Sequence, residues 1–306
     1  MSLPLEQTLL RVPFFPDPLP SPPIPLTGGI TNRNFRIDLP DASYVLRLSG
    51  KNTDLLGIHR PTERDANTFA ASIGIAAEVA YYIEPEGYLV TRFIEGQPLP
   101  PEIIGQETWL ARVATSLRRF HTEAPPLANT FDIFQVIATL TRIGQEHHGS
   151  FPDNFDWLME NVRAVEATFA RVAPNATPYT PHPCHNDLLN GNFLNHADTL
   201  IILDWEYAGM GDVFFDLANF SHHHALTDDQ IRYFLTQYFG ECPPAHFARL
   251  KLMEPLSDLR EALWGTIQTA ISTLDEDFPG YARQWYQSAT QSFQDPRLPA
   301  WLNEIS

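Results

Sequence analysis

Residues 185–192 have the form H-x-D-x-x-x-x-N, and the apolar stretch that follows them ends at a second carboxylate, Asp204. Phosphoryl transfer needs a carboxylate that orients or accepts a hydroxyl proton, together with oxygen ligands for Mg²⁺. The spacing from Asp187 to Asn192 suits a loop that presents the first group and then turns back toward a metal ion. A short hairpin over residues 193–203 would return Asp204 to the same edge. The combination indicates phosphotransfer chemistry, whereas a lone motif of this form also occurs as a simple helix or turn cap.

The part of the chain before this motif divides into a strand-rich and a helix-rich segment. Residues 1–95 contain a proline-rich arm at 13–25, where proline prevents helix formation. Apolar alternation and turn residues then predict strands over 34–39, 43–48, 77–83 and 88–93, with a helix over 60–74 between the two pairs. Gly96–Pro98 interrupts the pattern and is the expected hinge between two lobes.

Helical periodicity dominates the chain after the expected hinge. Apolar residues recur at helical spacing from Trp109 to Phe120, and we expect further helices at 131–145 and 155–171 and from residue 228 onward. The sequence therefore predicts two domains, an N-terminal lobe of residues 1–95 and a mostly helical lobe of residues 96–306.

Composition restricts the partners and the compartment. The formal net charge of −17 disfavours nucleic acid and anionic membrane surfaces, which need a basic footprint, and it would attract a cationic small molecule. The only cysteines are Cys184 and Cys242, which disfavours a disulfide framework and suits a reducing compartment. No apolar run is long enough to span a membrane, and no secretory signal is recognisable. We expect a cytoplasmic protein.

Residues 182–220 closely resemble the choline/ethanolamine kinase family, which belongs to the aminoglycoside-phosphotransferase-like group. The similarity extends over roughly residues 26–290. It implies an α+β, protein-kinase-like two-lobe fold, with a small antiparallel-sheet N-terminal lobe and a mostly helical C-terminal lobe. It also implies Asp187 as the catalytic base, Asn192 and Asp204 as Mg²⁺ ligands, His185 as a brace for the loop, and Asp216 as its structural anchor.

The resemblance also identifies candidate residues for ATP. Gly28, Gly29, Thr31 and Asn32 look like the family's phosphate loop, in which glycine permits close backbone approach. Arg47 looks like the strand cation that contacts the α- and β-phosphates, with Glu63 as its helix partner. Lysine occurs only at Lys51 and Lys251, so a phosphate-binding cation on a strand must be arginine. The backbone of the next strand should bond the adenine, through Arg92, Phe93 and Ile94.

A pocket for the acceptor alcohol is implied by Tyr207, Trp264 and Tyr281, which match the family's aromatic positions. Choline carries a quaternary ammonium that donates no hydrogen bond, so aromatic faces and nearby acids such as Glu206 and Asp275 would recognise it. Residues 222–224 are three histidines at a place where choline kinases have an acidic residue. We interpret them as a solvated loop rather than a metal site, because adjacent helical residues face different directions.

The predicted function is transfer of the ATP γ-phosphate to the hydroxyl of a small, cationic amino alcohol, with choline or ethanolamine as the first candidates. The histidines leave thiamine or another alcohol open as the acceptor. An aminoglycoside kinase, or a nucleotide-binding protein without catalysis, is the alternative. The intact set of Asp187, Asn192, Asp204, Arg47 and Glu63 disfavours the non-catalytic alternative.

Overall fold

The strands predicted near the N-terminus form a five-stranded antiparallel sheet in the order β1-β2-β3-β5-β4 in the computed structural model. Its strands are β1 (Ile24–Leu26), β2 (Arg33–Asp38), β3 (Ser43–Leu48), β4 (Val79–Ile83) and β5 (Tyr88–Arg92). Along β3, Tyr44, Leu46 and Leu48 are buried and alternate with more exposed residues, since successive side chains point to opposite faces. The predicted hairpin is confirmed, because β2 pairs with β3 in register across the turn.

The N-terminal arm covers this sheet. Helix α1 (Leu5–Leu9) begins it, and the side chains of Leu9, Val12 and Phe15 belong to the same buried cluster as Tyr44. The arm was predicted to be extended and packed on a surface, and its packing is confirmed. Its last residues are not a free arm, since they form β1 and extend the sheet.

Helix α2 (Arg60–Ser72) crosses from β3 to β4 along the chain and closely matches its prediction. Pro61 lies in its first turn, where a missing N–H breaks no helical hydrogen bond. The ring of His59 accepts the backbone N–H of Thr62 at 3.4 Å and so caps the helix. After its end, Gly74 has φ +79°, a conformation that favours glycine.

A second, three-stranded sheet brings a later segment of the chain beside Gln97–Pro98. It has the order β10-β9-β6, with β6 (Gln97–Pro98), β9 (Phe193–His196) and β10 (Thr199–Ile202). Gly96 passes so close to β9 that an added Cβ would lie 2.9 Å from the Cβ of Leu194. The predicted interruption at residues 96–98 is therefore a site of close strand approach.

The structure describes residues 4–26, 32–50, 53–171, 180–272 and 274–305. The chain forms two compact units, the first from 1–100 and 191–208, the second from 101–190 and 209–306. The sequence-based division placed one boundary at residue 95 and assigned everything beyond it to the second lobe. The structure differs at 191–208, because the β9–β10 hairpin pairs with β6 and not with the helices.

The second unit is mostly helical, as predicted. Its helices are α3 (Pro101–Ile104), α4 (Glu107–Glu123), α5 (Ile133–Glu146), α6 (Phe155–Arg171), α7 (Val213–His223), α8 (Asp228–Phe239), α9 (Pro244–Ile271), α10 (Phe278–Phe293) and α11 (Leu298–Glu304). The centre of this unit is α9, which packs against α5, α7, α10 and α11. A small sheet consists of β7 (Thr130–Phe131), β11 (Gly209–Gly211) and β8 (His182–Cys184), and β8 leads directly into the H-x-D motif. Among the described residues, no helix is long and apolar enough to cross a membrane.

The α+β class is confirmed, with an antiparallel sheet first and helices after it.

Candidate active site

A cavity of about 290 Å³ opens within the first unit. It is lined by strands of the five-stranded sheet and by the β9–β10 hairpin. Six of the residues predicted from the sequence line it: Arg47, Arg92, Phe93, Ile94, Asn192 and Asp204. Apolar side chains such as Val45 and Leu203 line it as well, so the cavity combines an apolar lining with charged groups. Such a lining is typical of small-molecule sites.

Arg47 is the main cation at this cavity. Its guanidinium forms ion pairs with Glu63 of α2 and with Asp204, which follows β10. The Glu63 side chain is only 2% exposed, whereas that of Asp204 is 33% exposed. The predicted pairing of Arg47 with Glu63 is thus present, and a buried carboxylate fixes the strand cation in place. The roles of Arg47 and Glu63 in nucleotide binding stay predictions.

A second arginine, which the sequence analysis did not single out, completes this charge network. Arg60 bonds Glu63 at 2.6 Å and Glu206 at 3.1 Å. Glu206 was predicted as an acid near the acceptor, but in the structure it is buried in the first unit. Burial, and next the charge of Asp204, raises the pKa of Glu206, against the opposing effect of the two arginines.

Asn32 was predicted to donate to phosphate. Its side-chain amide donates to Glu206 at 2.9 Å, and its amide oxygen accepts the backbone N–H of Gly50 at 3.3 Å. Asn32 therefore links the start of β2 to Glu206 and Gly50. Its contact with phosphate stays a prediction. Gly28, Gly29 and Thr31 lie outside the described residues.

Asp204 and Asn192 are the predicted metal ligands, and both line the cavity. Asp204 has φ +60°, a left-handed conformation that Asp adopts more readily than most residues. Non-glycine residues in this region are strained and cluster at functional sites. A carboxylate and an amide together offer the oxygen ligands that Mg²⁺ prefers. The donor set of this cavity therefore fits such an ion.

The loop that carries Asp187 belongs to the second unit and is fixed by buried side chains. Asp216 of α7 accepts the backbone N–H of His185 at 2.8 Å and that of Asn186 at 2.6 Å. Asn219, one turn later, accepts the N–H of Leu188 at 2.5 Å. The prediction that Asp216 anchors this loop is confirmed.

His185 acts within the same loop. Its side chain is fully buried, and its Nδ1 accepts the backbone N–H of Asp187 at 3.2 Å. This contact is what a brace for the loop requires. Asn186, between the two, has φ +65°, so the loop reverses direction just before Asp187. Asp187 itself is buried.

His121 of α4 supports the anchor and was missed from the sequence. Its Nε2 lies 2.9 Å from Asp216 and its Nδ1 lies 2.7 Å from the hydroxyl of Tyr238. Burial alone would raise the pKa of Asp216, but the bonds from His121 and His185 lower it below its ordinary value. The carboxylate is thereby kept charged. The thiol of Cys184 lies within 4.8 Å of the ligand atoms of His121 and Asp216. The oxygens of Asp216 already accept hydrogen bonds from the loop backbone, and one of them contacts His121.

Two neighbouring residues of α9, one in contact with the candidate base and one paired with that contact, were not predicted as site residues. Arg260 donates from Nη1 to Oδ1 of Asp187 at 2.8 Å and also pairs with Glu261. Glu261 in turn accepts a hydrogen bond from the hydroxyl of Tyr281 at 2.5 Å. Burial, followed by the charge of Glu261, raises the pKa of Tyr281, so this phenol keeps its proton.

The predicted aromatic residues are divided between the units. Trp264 and Tyr281 lie together in the second unit, with ring centroids 5.5 Å apart, and Trp285 lies 6.0 Å beyond Tyr281. Tyr207 is buried in the first unit, and Asp275 is exposed. The structure thus places two of the three predicted aromatics in one cluster, and Trp285 joins it.

The interpretation of residues 222–224 as a solvated loop is wrong. His222 and His223 form the last residues of α7 and His224 caps its end. His222 lies 2.8 Å from Asp258 of α9, and His224 is 2% exposed. Their different directions do not expose them, because α7 packs against α9 and the ring of His223 packs on Trp285 of α10.

A family model and several similar proteins identify the family of this chain. The model of the choline/ethanolamine kinase family matches residues 24–238. The structure of a choline/ethanolamine kinase family protein from Mesorhizobium loti is 27% identical and has a TM-score of 0.82, with 98% of each chain covered. Choline kinase LicA from Streptococcus pneumoniae shares the fold at 24% identity and a TM-score of 0.73, with 87% of this chain and 91% of that chain covered.

A curated relative extends the likeness beyond the range of the family model. Protein LicA of Haemophilus influenzae is 24% identical over 281 residues, which cover 89% of this chain and 80% of the relative. The matched region of the family model includes Arg47, Glu63, Asp187, Asn192 and Asp204. Because the family model spans more than half of the sequence, the chain belongs to the choline/ethanolamine kinase family.

Proposed function

We propose that this protein is an ATP- and Mg²⁺-dependent kinase that phosphorylates the hydroxyl of a small amino alcohol, with choline or ethanolamine as the preferred acceptor. The observation that carries the proposal is the anchoring of the Asp187 loop by Asp216 and Asn219, in a chain of this family. A carboxylate that must meet a hydroxyl at hydrogen-bond distance needs such a fixed backbone.

The cavity of the first unit is the proposed nucleotide site. Arg47 would contact the phosphates, because its guanidinium is held by Glu63 and Asp204 in a fixed orientation. Arg92, Phe93 and Ile94, at the end of β5, line the cavity, and this segment would contact the adenine edge. The apolar lining supplies a surface on which a purine can pack.

Asn192 and Asp204 would hold Mg²⁺ at this cavity. Bound there, the ion supplies positive charge that neutralises the phosphate oxygens and orients them. Arg47 pairs with Asp204 in the structure, and this ion pair orients the carboxylate.

Asp187 would accept the acceptor's proton as the hydroxyl oxygen forms its bond to the γ-phosphorus and the bond to ADP breaks. His185 and Asp216 act on the backbone of this loop and do not take part in the proton transfer. The aromatic cluster of Trp264, Tyr281 and Trp285 supplies ring faces, which attract a quaternary or primary ammonium.

The experiment that tests the function is ADP release with Mg·ATP and a panel of acceptors: choline, ethanolamine, thiamine and an aminoglycoside. We expect turnover with choline or ethanolamine, and a loss of ~10²–10⁴-fold in Asp187→Asn, which removes the base but keeps the size of the side chain. Asp132→Asn, at the exposed N-terminus of α5, is the matched control. Turnover with the aminoglycoside alone, or with no acceptor despite nucleotide binding, would contradict the proposal.

A further inference from the structure

Asp187 and Glu261 share one guanidinium nitrogen. Nη1 of Arg260 donates to Oδ1 of Asp187 at 2.8 Å and pairs at the same time with Oε1 of Glu261. All three side chains are buried, with exposures of 3% for Arg260, 10% for Asp187 and 4% for Glu261. Two carboxylates therefore share one guanidinium nitrogen in a poorly solvated place.

The consequence for the two carboxylates follows from electrostatics. A nearby cation favours the charged form of a carboxylate, and a second carboxylate at the same site disfavours it. Burial makes both effects stronger than at a surface, because the local dielectric constant is low. The proton affinity of Asp187 thus depends on how the Arg260 charge is divided between it and Glu261.

We infer that Arg260 is a positioning residue that orients Asp187 and lowers its proton affinity. Glu261 opposes this lowering, because its carboxylate pairs with the same nitrogen of Arg260. This inference rests on the proposed function for its catalytic meaning. Arg260 fixes Oδ1 and thereby the orientation of the carboxylate. Glu261 keeps the base strong enough to accept a proton.

Arg260 and Glu261 also connect Asp187 to the aromatic cluster of Trp264, Tyr281 and Trp285. Tyr281 donates to Oε2 of Glu261, whereas Nη1 of Arg260 pairs with Oε1. Trp264 lies one turn after Arg260 on α9, and its ring packs on that of Tyr281. The residues proposed to recognise the ammonium and the residue proposed to take the proton are therefore joined through Arg260 and Glu261.

Several other charged or titratable groups face this network from the elements packed around it. They are His222 and His223 from α7, Asp258 from α9, Tyr281 from α10 and His185 from the loop. Asp258 is paired with His222, and the pKa of Tyr281 is raised above its ordinary value, chiefly by burial. Arg260 contacts Asp187 directly, through Nη1.

Substitution of the two partners gives opposite expectations. In Arg260→Gln, Asp187 faces the charge of Glu261 without a shared cation, so the acidic limb of the kcat/KM profile moves to higher pH by about 1–3 units. In Glu261→Gln, Asp187 has Arg260 to itself, so the limb moves to lower pH, by roughly one unit. Arg260→Lys keeps the charge without the planar geometry and should lower kcat with a smaller movement of the limb.

The test is a pH profile of kcat/KM for the wild type and these variants, with choline and Mg·ATP. The matched control is Arg249→Gln, which removes another buried arginine of α9 from its carboxylate, Asp212, 2.6 Å away. We expect the control to lower stability without moving the limb. Limbs that coincide in all variants, or that move in the same direction in Arg260→Gln and Glu261→Gln, would overturn the inference.

A direct titration separates this inference from the proposed function. The carboxyl carbon of Asp187 is followed by NMR in protein with ¹³C-labelled aspartate, and its signal is assigned by its loss in Asp187→Asn. If the wild type phosphorylates no acceptor, the function fails, but the opposite shifts of this signal still decide the inference. If Arg260→Gln does not fold, Arg260→Lys and Glu261→Gln supply the comparison, and an unshifted Asp187 in both contradicts it.

Discussion

Arg47 of β3 and Glu63 of α2 form an ion pair in which the carboxylate is almost fully buried. Because Glu63 also bonds Arg60 at 2.6 Å, each of its oxygens has a guanidinium partner. The strand cation is therefore fixed by the helix, and its position does not depend on a bound ligand.

Removal of Arg47 should weaken nucleotide binding. We expect Arg47→Met to raise the Kd for Mg·ATP by roughly 10- to 100-fold, since a hydrogen bond to a charged group contributes about 1.5–3 kcal/mol. Titration calorimetry measures this change. Arg36→Met on the neighbouring strand, which removes a partly exposed pair with Asp38, is the control and should leave the Kd unchanged. An equal effect of the two substitutions would mean that Arg47 acts only through folding.

Asp216→Asn should loosen the loop that carries Asp187. We expect kcat to fall by roughly 10²-fold through misplacement of the base, and the free energy of unfolding to fall by about 1–3 kcal/mol through loss of buried charged hydrogen bonds. The pKa of Asp216 is lowered in the folded protein, from an ordinary value of 3.8. Its contribution to stability is therefore complete above that value and is lost as the pH falls through the folded pKa.

Urea unfolding of wild type and Asp216→Asn between acid and neutral pH measures this dependence. The difference between the two proteins should shrink as the pH falls below about 4. A difference that stays constant over the whole range would show that the charge of Asp216 contributes nothing to stability.

The sequence predicted those features that depend on a local pattern. The hairpin of β2 and β3 follows from alternation, and the Asp187 loop from a motif of contiguous residues. Arg60, His121 and Arg260 were missed because each acts through a partner far away in the sequence, and no spacing along the chain indicates such a pair. The same reason explains why residues 191–208 were assigned to the wrong unit, since only strand pairing with Gln97–Pro98 places them.

The histidines show a different limit of sequence reasoning. Adjacent residues of α7 do face different directions. The histidines are nevertheless not solvated, because other elements cover more than one side of this helix. His222 meets Asp258 of α9, whereas His223 packs on Trp285 of α10. The packing of other elements on three adjacent residues depends on the tertiary structure, which the pattern of a single helix does not contain.

Trp264 should contribute to recognition of the acceptor's positive charge. We expect Trp264→Leu to raise the KM for choline by roughly 2- to 30-fold with a smaller effect on kcat, as a cation–π contact contributes about 0.5–2 kcal/mol. Steady-state kinetics with choline and with a neutral isostere, in which carbon replaces the ammonium nitrogen, measures the effect of charge. Trp157→Leu, on α6 against Phe293, is the control. An equal loss for both acceptors would indicate a purely steric role.

His222 should make stability depend on pH above neutrality. Burial alone would lower its pKa, but the bond and charge of Asp258 and the charge of Glu254 raise it above the ordinary 6.5. A raised pKa means that the folded state holds the proton more tightly than the unfolded state. The contribution is therefore complete below 6.5 and is lost as the pH rises through the folded pKa.

We expect the free energy of unfolding of the wild type to exceed that of His222→Gln most at pH 6 and below, with a difference that shrinks at higher pH. Burial lowers the pKa of His223, and that of His224 to about 4, so both are neutral above about pH 7.5 and do not contribute there. Urea unfolding between pH 5.5 and 9 measures the difference, with the exposed His196→Gln as the control. If the difference grows with pH, the ring of His222 is neutral in the folded protein, and its contact with Asp258 is an ordinary hydrogen bond and not an ion pair.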